Sequence, residues 1–235
     1  MLEIRDIDVH YGRAHILQGV NLTLGVKPLA LVGRNGMGKS TLCQTIMGLI
    51  RPSAGSIRLG TQELAGKPAN VIARKGIAIV PQGRRCFPSL SVHEHLLLVS
   101  QGPQAVWNID RIYTTFPRLA ERKGNGGTQL SGGEQQMLAI ARALLMNPKP
   151  VIMDEPSKGL APVIVEHLVQ VLRQLPAEGM GLLLVEQQLG LAASVCDTVA
   201  VMVNGRIAVT MPSAELMRDE AAQQRYLGVA PHTHH

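Results

Sequence analysis

Residues 33–41 read Gly-Arg-Asn-Gly-Met-Gly-Lys-Ser-Thr, and this stretch decides the fold class. It contains the pattern G-x-x-x-x-G-K-S, with Gly33, Gly38, Lys39 and Ser40 at the fixed positions. An apolar run precedes the pattern and a helix-compatible run follows it, which is the strand–loop–helix context of a phosphate-binding loop. A glycine-rich turn before a helix is the alternative, but it needs neither the lysine nor the serine.

Each residue type in this loop has a chemical reason to be there. Glycines let backbone N–H groups close around phosphates, Lys39 places a positive charge beside the β- and γ-phosphates, and the Ser40 hydroxyl ligates Mg²⁺. The N-terminus of the following helix attracts anions as well. The predicted nucleotide-binding residues of the loop are Gly33, Asn35, Gly36, Gly38, Lys39, Ser40 and Thr41.

The composition limits the classes of protein that the chain can belong to. Its 235 residues, 46% hydrophobic, suffice for one domain with a sizeable aliphatic core. Charged residues interrupt the first six positions, and no apolar run approaches the roughly 18 residues of a membrane span, so we expect neither a signal peptide nor a spanning helix. Three scattered cysteines argue against a disulfide frame or a zinc site. The net charge of +6 could suit nucleic acid or an anionic membrane face, although 3% aromatics disfavours base stacking.

Hydrophobic patterns predict two kinds of strand. Residues 2–11, 20–24 and 57–59 alternate apolar and polar side chains, which indicates a small antiparallel sheet. Short apolar runs predict strands covered on both faces, hence a parallel sheet, and helical patterns lie between them. These runs are Leu29–Val32, Ile77–Val80, Val151–Met153, Leu182–Val185 and Val199–Val203, and the helical patterns include 163–175.

One long segment interrupts this alternation. Residues 83–145 carry helical patterns near 91–99, 108–116 and 131–145, and no strand pattern. The prediction is a single α/β domain over residues 1–235, in which 1–82 and 146–227 form the core with its β-subdomain and 83–145 an inserted helical subdomain. Residues 228–235, with three histidines, are expected to be a loose tail.

A second phosphate element follows the apolar run at 151–153. An acidic residue at a strand end binds magnesium in phosphate-loop enzymes, usually through water, and Asp154 fits that role. Glu155 comes next and is placed to activate the attacking water as a general base. Acids after a strand often mark only a turn, but their pairing with the loop at 33–41 favours the catalytic interpretation.

The third element is Leu-Ser-Gly-Gly-Glu-Gln-Gln at residues 130–136. Ser131 and Glu134 alone would form a capping box, a purely structural device. Two glycines, Gly132 and Gly133, in the first helical turn cost about 1 kcal/mol each relative to alanine, so they indicate close approach of a backbone or phosphate. The chain thus has two anion sites, and two-fold association would place the second site of each copy over the nucleotide of the other.

These motifs resemble the ATP-binding-cassette ATPases over essentially all of residues 1–227. The loop at 33–41 matches the Walker A motif, 151–155 the Walker B motif, and 130–136 the signature LSGGQ, with Glu134 in place of the usual Gln. The resemblance implies that Tyr11 stacks on adenine and that Gln82 senses Mg²⁺ and the membrane partner. Residues 157–160 match the D-loop, although Ala161 stands where an acid is common.

Gln187 departs from the family pattern, because most members have a histidine there that contacts the γ-phosphate. A glutamine can still donate a hydrogen bond but cannot titrate near neutral pH. The Val-Glu-Gln sequence at 185–187 and the stretches 81–85, 87–92 and 159–162 are similar to the second ATPase subunit of bacterial branched-chain amino-acid importers and their urea or amide relatives. His95 stands where that subgroup has Asn.

The resemblance implies an ATPase with ATP and Mg²⁺ as cofactors. Implied catalytic residues are Glu155, Lys39, Gln187 and Gln82, with Ser40, Gln82 and Asp154 as metal ligands and Tyr11, Ser131, Gly132, Gly133 and Glu134 as further nucleotide contacts. Implied partners are a second cassette, related or identical, membrane permeases that dock on residues 83–98, and indirectly an extracytoplasmic solute-binding protein. The expected location is the cytoplasmic face of the bacterial inner membrane.

Two other classes of function fit the sequence less well. A nucleic-acid ATPase of this superfamily would carry a coiled-coil insertion or two cassettes in one chain, and only the positive charge supports it, so no nucleic-acid partner is expected. A soluble phosphate-loop kinase or GTPase would lack the motif at 130–133. The transported solute stays open among branched-chain amino acids, urea and short amides.

Overall fold

The computed structural model describes residues 1–83 and 86–228. Its strands are β1 Leu2–Tyr11, β2 Ala14–Leu24, β3 Leu29–Val32, β4 Ala54–Leu59, β5 Gln62–Glu63, β6 Ala78–Val80, β7 Pro150–Asp154, β8 Gly181–Glu186, β9 Thr198–Val203 and β10 Arg206–Pro212. Its α-helices are α1 Lys39–Ile46, α2 Ala69–Arg74, α3 Val92–Leu97, α4 Ile109–Thr115, α5 Pro117–Glu121, α6 Gly132–Leu145, α7 Pro162–Gln174, α8 Leu189–Val195, α9 Ser213–Arg218 and α10 Glu220–Leu227. Two 3-10 turns cover Gly127–Gln129 and Leu175–Glu178.

The central sheet has the strand order β10-β9-β3-β8-β7-β6. Its neighbours pair in parallel except β10, which pairs antiparallel with β9. Every residue of β3, β7 and β8 is buried. Helices cover one face of the sheet, and the antiparallel sheet together with α1 covers the other. This confirms the predicted mainly parallel α/β core.

The register of the sheet places the functional loops at one edge. Val32 at the end of β3 pairs with Glu186, and Asp154 at the end of β7 pairs with Val185. The carboxyl ends of parallel strands meet at the same edge, so the phosphate loop, the acidic turn after β7 and Gln187 after β8 come together.

A second, antiparallel sheet has the order β2-β1-β4-β5 and confirms the predicted small β-subdomain. The buried side chains of β1 change phase in mid-strand, from Leu2 and Ile4 to Ile7 and Val9. The change coincides with a register shift and with Asp6, whose φ of 48° is left-handed. A β-bulge therefore explains why the alternation in residues 2–11 is imperfect.

The inserted segment between β6 and β7 is helical, as predicted, and contains α3 to α6. Between Val80 and Pro150 the described residues form no strand, only an isolated bridge between Ser91 and Gly126. Trp107 is fully buried here, and its Nε1 donates to Glu178 Oε2 at 2.7 Å. This bond joins the insert to the 3-10 turn that leads into β8.

The C-terminal end of the described chain is the end of helix α10. The predicted histidine-rich tail lies outside the described residues, apart from Gly228, which ends α10 in a left-handed conformation. No helix within the described ranges combines the length and the apolar character that crossing a bilayer requires.

Candidate active site

The phosphate loop is shaped by close approaches that only glycine permits. A Cβ on Gly33 would lie 2.4 Å from the carbonyl oxygen of Met202, and Gly38 has a φ of 103° at the start of α1. Lys39 Nζ donates to the carbonyl oxygens of Gly33 at 2.6 Å and of Arg34 at 2.9 Å. The lysine thereby draws the loop into a curve around its own ammonium group.

The N-terminus of α1 is built to accept an anion. Its cap residue, Gly38, has no side chain to bond the first N–H groups, and the first turn holds no acidic residue. Unsatisfied N–H groups and the helix dipole favour negative charge at this point. Burial lowers the pKa of Lys39, while the nearby carboxylates of Glu155 and Asp154 act in the opposite direction.

Asp154 ends the buried strand β7 beside this loop. Its side chain is 4% exposed, and no described residue offers a hydrogen-bond partner to Oδ1. Burial raises the pKa of the carboxyl, the charge of Glu155 raises it further, and a hydrogen bond with Ser40 lowers it. A buried carboxylate oxygen without a partner, next to a serine hydroxyl, matches the oxygen donors that Mg²⁺ requires, so these two residues fit a magnesium site.

Glu155 follows in a left-handed conformation, with a φ of 50°. Its side chain is buried and accepts hydrogen bonds at both oxygens, from Gln187 Nε2 at Oε1 and from Lys158 Nζ at Oε2, the latter 2.9 Å long. Burial raises the pKa of Glu155, but the bonds from Gln187 and Lys158 outweigh burial and leave the pKa below its usual value. The carboxylate is therefore ionised and held in a fixed orientation.

Two further charged residues, Glu186 and Lys158, belong to the site, and no motif in the sequence assigns a catalytic role to either. Glu186, at the end of β8, is buried, and its Oε1 accepts from the backbone N–H of Ser157 at 3.3 Å. Burial raises the pKa of its carboxyl. Glu186 could have been found from sequence, because it is an acidic residue that follows an apolar strand, as Asp154 is. The pairing of Lys158 with Glu155 could not, because it depends on the geometry of the turn between them.

A cavity of about 420 Å³ brings most predicted nucleotide residues together. Its described lining comprises Tyr11, Ile16, Asn35, Gly36, Gly38, Lys39, Ser40, Thr41, Gln82, Glu155 and Lys158. Tyr11 is exposed, as a ring that stacks on a base must be. Gln82 is also exposed and borders both this cavity and an adjoining one of about 490 Å³.

The signature stretch 130–136 contributes to the adjoining cavity of about 490 Å³, where Gln135 and Gln136 lie with Glu155 and Lys158. Within the part of the chain that the structure describes, the 420 Å³ cavity includes none of residues 131–134. Ser131 caps α6 with a capping box: the Glu134 N–H donates to Ser131 Oγ at 3.3 Å, and Glu134 Oε2 accepts from the Ser131 N–H at 2.7 Å. Glu134 thus has a structural role in this conformation, and the Ser131 and glycine side of the turn stays available to a ligand from another molecule.

Comparison with known proteins identifies the family. Residues 17–158 match the family model described as ABC transporter. The chain is 39% identical to the high-affinity branched-chain amino acid transport ATP-binding protein BraG of Pseudomonas aeruginosa, over 97% of this chain and 100% of that protein. It is 29% identical to the lipopolysaccharide export system ATP-binding protein LptB of Haemophilus influenzae, over 97% of both chains.

A solved structure of the ATP-binding subunit of an ABC transporter superposes with a TM-score of 0.84 and 28% identity, covering 97% of this chain and 96% of that one. The superposition therefore extends over nearly the whole length of both chains. The chain therefore belongs to the ATP-binding-cassette (ABC) transporter family and is an ATP-binding, ATP-hydrolysing subunit of such a transporter.

Proposed function

We propose that this chain is an ATPase subunit of an importer for branched-chain amino acids. The observation that carries the proposal is the 39% identity to BraG along the whole length of both proteins. The Val-Glu-Gln sequence at 185–187 supports the same subgroup. An importer of urea or short amides is the alternative, because the cassette itself would not contact the solute.

The proposed reaction assigns a task to each of the following residues. Lys39 and the N-terminus of α1 hold the phosphate tail, Tyr11 stacks on adenine, and Glu155 accepts a hydrogen bond from the attacking water. Ser40, Asp154 and Gln82 would hold Mg²⁺, which, when bound, neutralises charge on the phosphates. Gln187 keeps the Glu155 carboxylate in place through its bond to Oε1.

The proposed assembly is larger than this chain. Ser131, Gly132, Gly133 and Glu134 would close over the nucleotide of a second cassette, since they lie outside the cavity of their own chain. The helical segment 83–145 would act as a subdomain whose first part, residues 83–98, receives the permeases; residues 84 and 85 lie outside the description. A solute-binding protein would deliver the ligand, with the cassette on the cytoplasmic face of the inner membrane.

The role of Glu155 is tested by Glu155→Gln in the purified protein. Loss of a positioned general base slows hydrolysis by about 100- to 10,000-fold. Binding of a non-hydrolysable ATP analogue should persist, because the amide keeps the shape of the side chain. Hydrolysis at the wild-type rate would remove Glu155 from the mechanism.

The solute is tested by uptake in cells that lack this gene. We expect loss of labelled leucine uptake and unchanged urea uptake, with recovery from the wild-type gene but not from the Glu155→Gln gene. Lost urea uptake with normal leucine uptake would favour the alternative. Normal uptake of both would contradict the proposal.

A further inference from the structure

Lys158 is a cation at the active site to which the proposed reaction gives no task. It lies on the turn after β7, with its side chain 65% exposed, and its Nζ is 2.9 Å from Glu155 Oε2. Glu155 itself is buried, and its other oxygen accepts from Gln187. One carboxylate oxygen is therefore held by a neutral amide and the other by an ammonium on a flexible stem.

Lys158 also borders the nucleotide cavity. Lys158 lines the cavity of about 420 Å³ together with Lys39, Ser40 and Thr41 of the phosphate loop. It also lines the adjoining cavity of about 490 Å³, with Gln135 near the start of α6. Lys158 thus lies at the boundary between the pocket for the phosphate tail and the side of the molecule that bears the signature turn.

The charges in this pocket change when a nucleotide enters. Without nucleotide, the anionic partner of Lys158 is Glu155, which carries a single charge. A triphosphate brings several negative charges into the same cavity, and electrostatic attraction scales with the product of the charges. Because the lysine stem rotates freely and is mostly exposed, exchange of one partner for the other requires no movement of the backbone.

We propose that Lys158 is a positioning residue that exchanges partners: it holds Glu155 Oε2 in the empty cassette and passes to the phosphate tail of bound ATP. The exchange frees Oε2 to accept a hydrogen bond from the attacking water, while Gln187 keeps Oε1 fixed. Glu155 thereby becomes available only when nucleotide is present. The inference rests on the proposed role of Glu155 as the base.

Two variants separate the charge of Lys158 from its stem. Lys158→Met keeps the length without the charge, and Lys158→Arg keeps the charge. In the Met variant we expect the KM for ATP, and the Kd of a non-hydrolysable analogue with Mg²⁺, to rise roughly 2- to 5-fold, the range of an exposed ion pair. The kcat should change less than about twofold, since Lys158 has left Glu155 by the time water attacks. The Arg variant should return KM to the wild-type value.

Amine reactivity gives a readout independent of hydrolysis. Acylation of Lys158, followed by mass spectrometry, should be faster in empty Glu155→Gln than in the empty wild type, because the empty-state partner is weakened. The ATP analogue should restore protection in Glu155→Gln. Exposed Lys27, away from the cavity, serves as the control lysine.

Two results would overturn the exchange. The first is a fall in kcat at unchanged KM in Lys158→Met, which would mean that Lys158 stays on Glu155 during hydrolysis. The second is an acylation rate of Lys158 in Glu155→Gln that is the same with and without the ATP analogue. Either result, with Glu155→Gln still inactive, refutes the exchange alone, whereas active Glu155→Gln refutes the proposed base.

Discussion

Gln187 stands at a position where most members of the family carry histidine, and its contact explains how a glutamine can serve. Its side-chain amide donates to Oε1 of Glu155, and its own pKa plays no part because an amide does not titrate. Glu155 needs such a partner because its carboxylate is buried, and a buried charge without a hydrogen bond is costly. The orientation of the Glu155 carboxylate therefore depends in part on a residue 32 positions away.

The contact predicts the effect of Gln187→Ala. Losing one hydrogen bond to a charged group should lower kcat about tenfold, the lower end of the range for such bonds, with little change in KM. Gln187→His, which keeps a ring N–H donor, should retain activity within about threefold of the wild type. Steady-state kinetics on both variants, with thermal unfolding as a check on folding, make the measurement. Equal kcat in wild type and Gln187→Ala would show that Glu155 is oriented by other groups.

Predictability from sequence differs between residues that are contiguous and residues that meet only in the fold. Gly33 to Thr41 and Asp154-Glu155 were identified because each motif is one short stretch next to a strand. The pairing of Glu155 with Lys158 was not, since a turn geometry must first bring the ammonium back over the carboxylate. The burial of Glu186 likewise depends on β8 lying between β3 and β7.

Helices and strands also differ in how well the sequence predicts them. The fully buried strands β3, β7 and β8 were predicted within a residue or so, because their apolar runs have no polar face. Strand β10 was missed: it lies at the sheet edge, and its side chains alternate only between exposed and half-buried, with none fully buried. The polar helix α10 was also missed, although Asp219, whose Oδ1 accepts from the Ala222 N–H at 2.8 Å, is a readable N-cap.

Glu63, in the short strand β5, is the basis of a prediction on pH. Burial raises the pKa of Glu63, but hydrogen bonds from Ser56, from the backbone of Ala65 and Ile57, and from Arg58 lower it to about 2. The folded-state pKa is below the usual value of 4.5, so the carboxylate stabilises the fold above about pH 4.5. This stabilisation is lost as the pH falls from there toward 2.

Glu63→Gln should therefore lower the free energy of unfolding at pH 7 by about 1 kcal/mol, a figure reduced for the exposure of the side chain. Urea unfolding between pH 7 and pH 3.5 should show wild type and variant converging as the pH falls. A difference in free energy that is the same at every pH would mean that the charge of Glu63 contributes nothing.

The junction of the helical insert with the core supplies another prediction. Glu178 accepts from Trp107 Nε1 at 2.7 Å and pairs with Arg111, whose guanidinium lies 3.9 Å from the centre of the Trp107 ring. Glu178→Ala would leave the indole N–H of a fully buried ring without its acceptor. We expect a loss of about 2–3 kcal/mol in the free energy of unfolding.

Trp107 is the single tryptophan of the chain, so its fluorescence during urea unfolding reports on this junction directly. The matched control is Glu121→Gln, which breaks the exposed pair with Arg118 and should cost less than about 0.5 kcal/mol. Equal stability of the two variants would mean that the insert is held to the core by apolar packing alone.

At the scale of the whole molecule, the two predicted anion sites of the chain do not share one cavity. The phosphate loop, Tyr11 and Glu155 share one cavity, and the turn that Ser131 begins lies outside it. A cavity without the signature turn leaves the outer side of the phosphate tail open to water. The hydrolytic site is therefore expected to be complete only when a second cassette covers it.

This separation predicts complementation between two inactive variants. Lys39→Ala removes the phosphate contact, and Ser131→Arg fills the signature turn with a bulky cation, so each homodimer should be inactive. In a mixed dimer, the intact phosphate loop of the Ser131→Arg copy faces the intact signature turn of the Lys39→Ala copy, which restores one site. Random mixing in equal amounts gives a population in which half of the dimers are mixed. Each mixed dimer has one of two sites intact, so hydrolysis should reach up to about a quarter of the wild-type rate.

The hydrolysis rate per cassette of the wild type should also rise with protein concentration. Full activity at high dilution, or no recovery on mixing, would place the whole site within one chain.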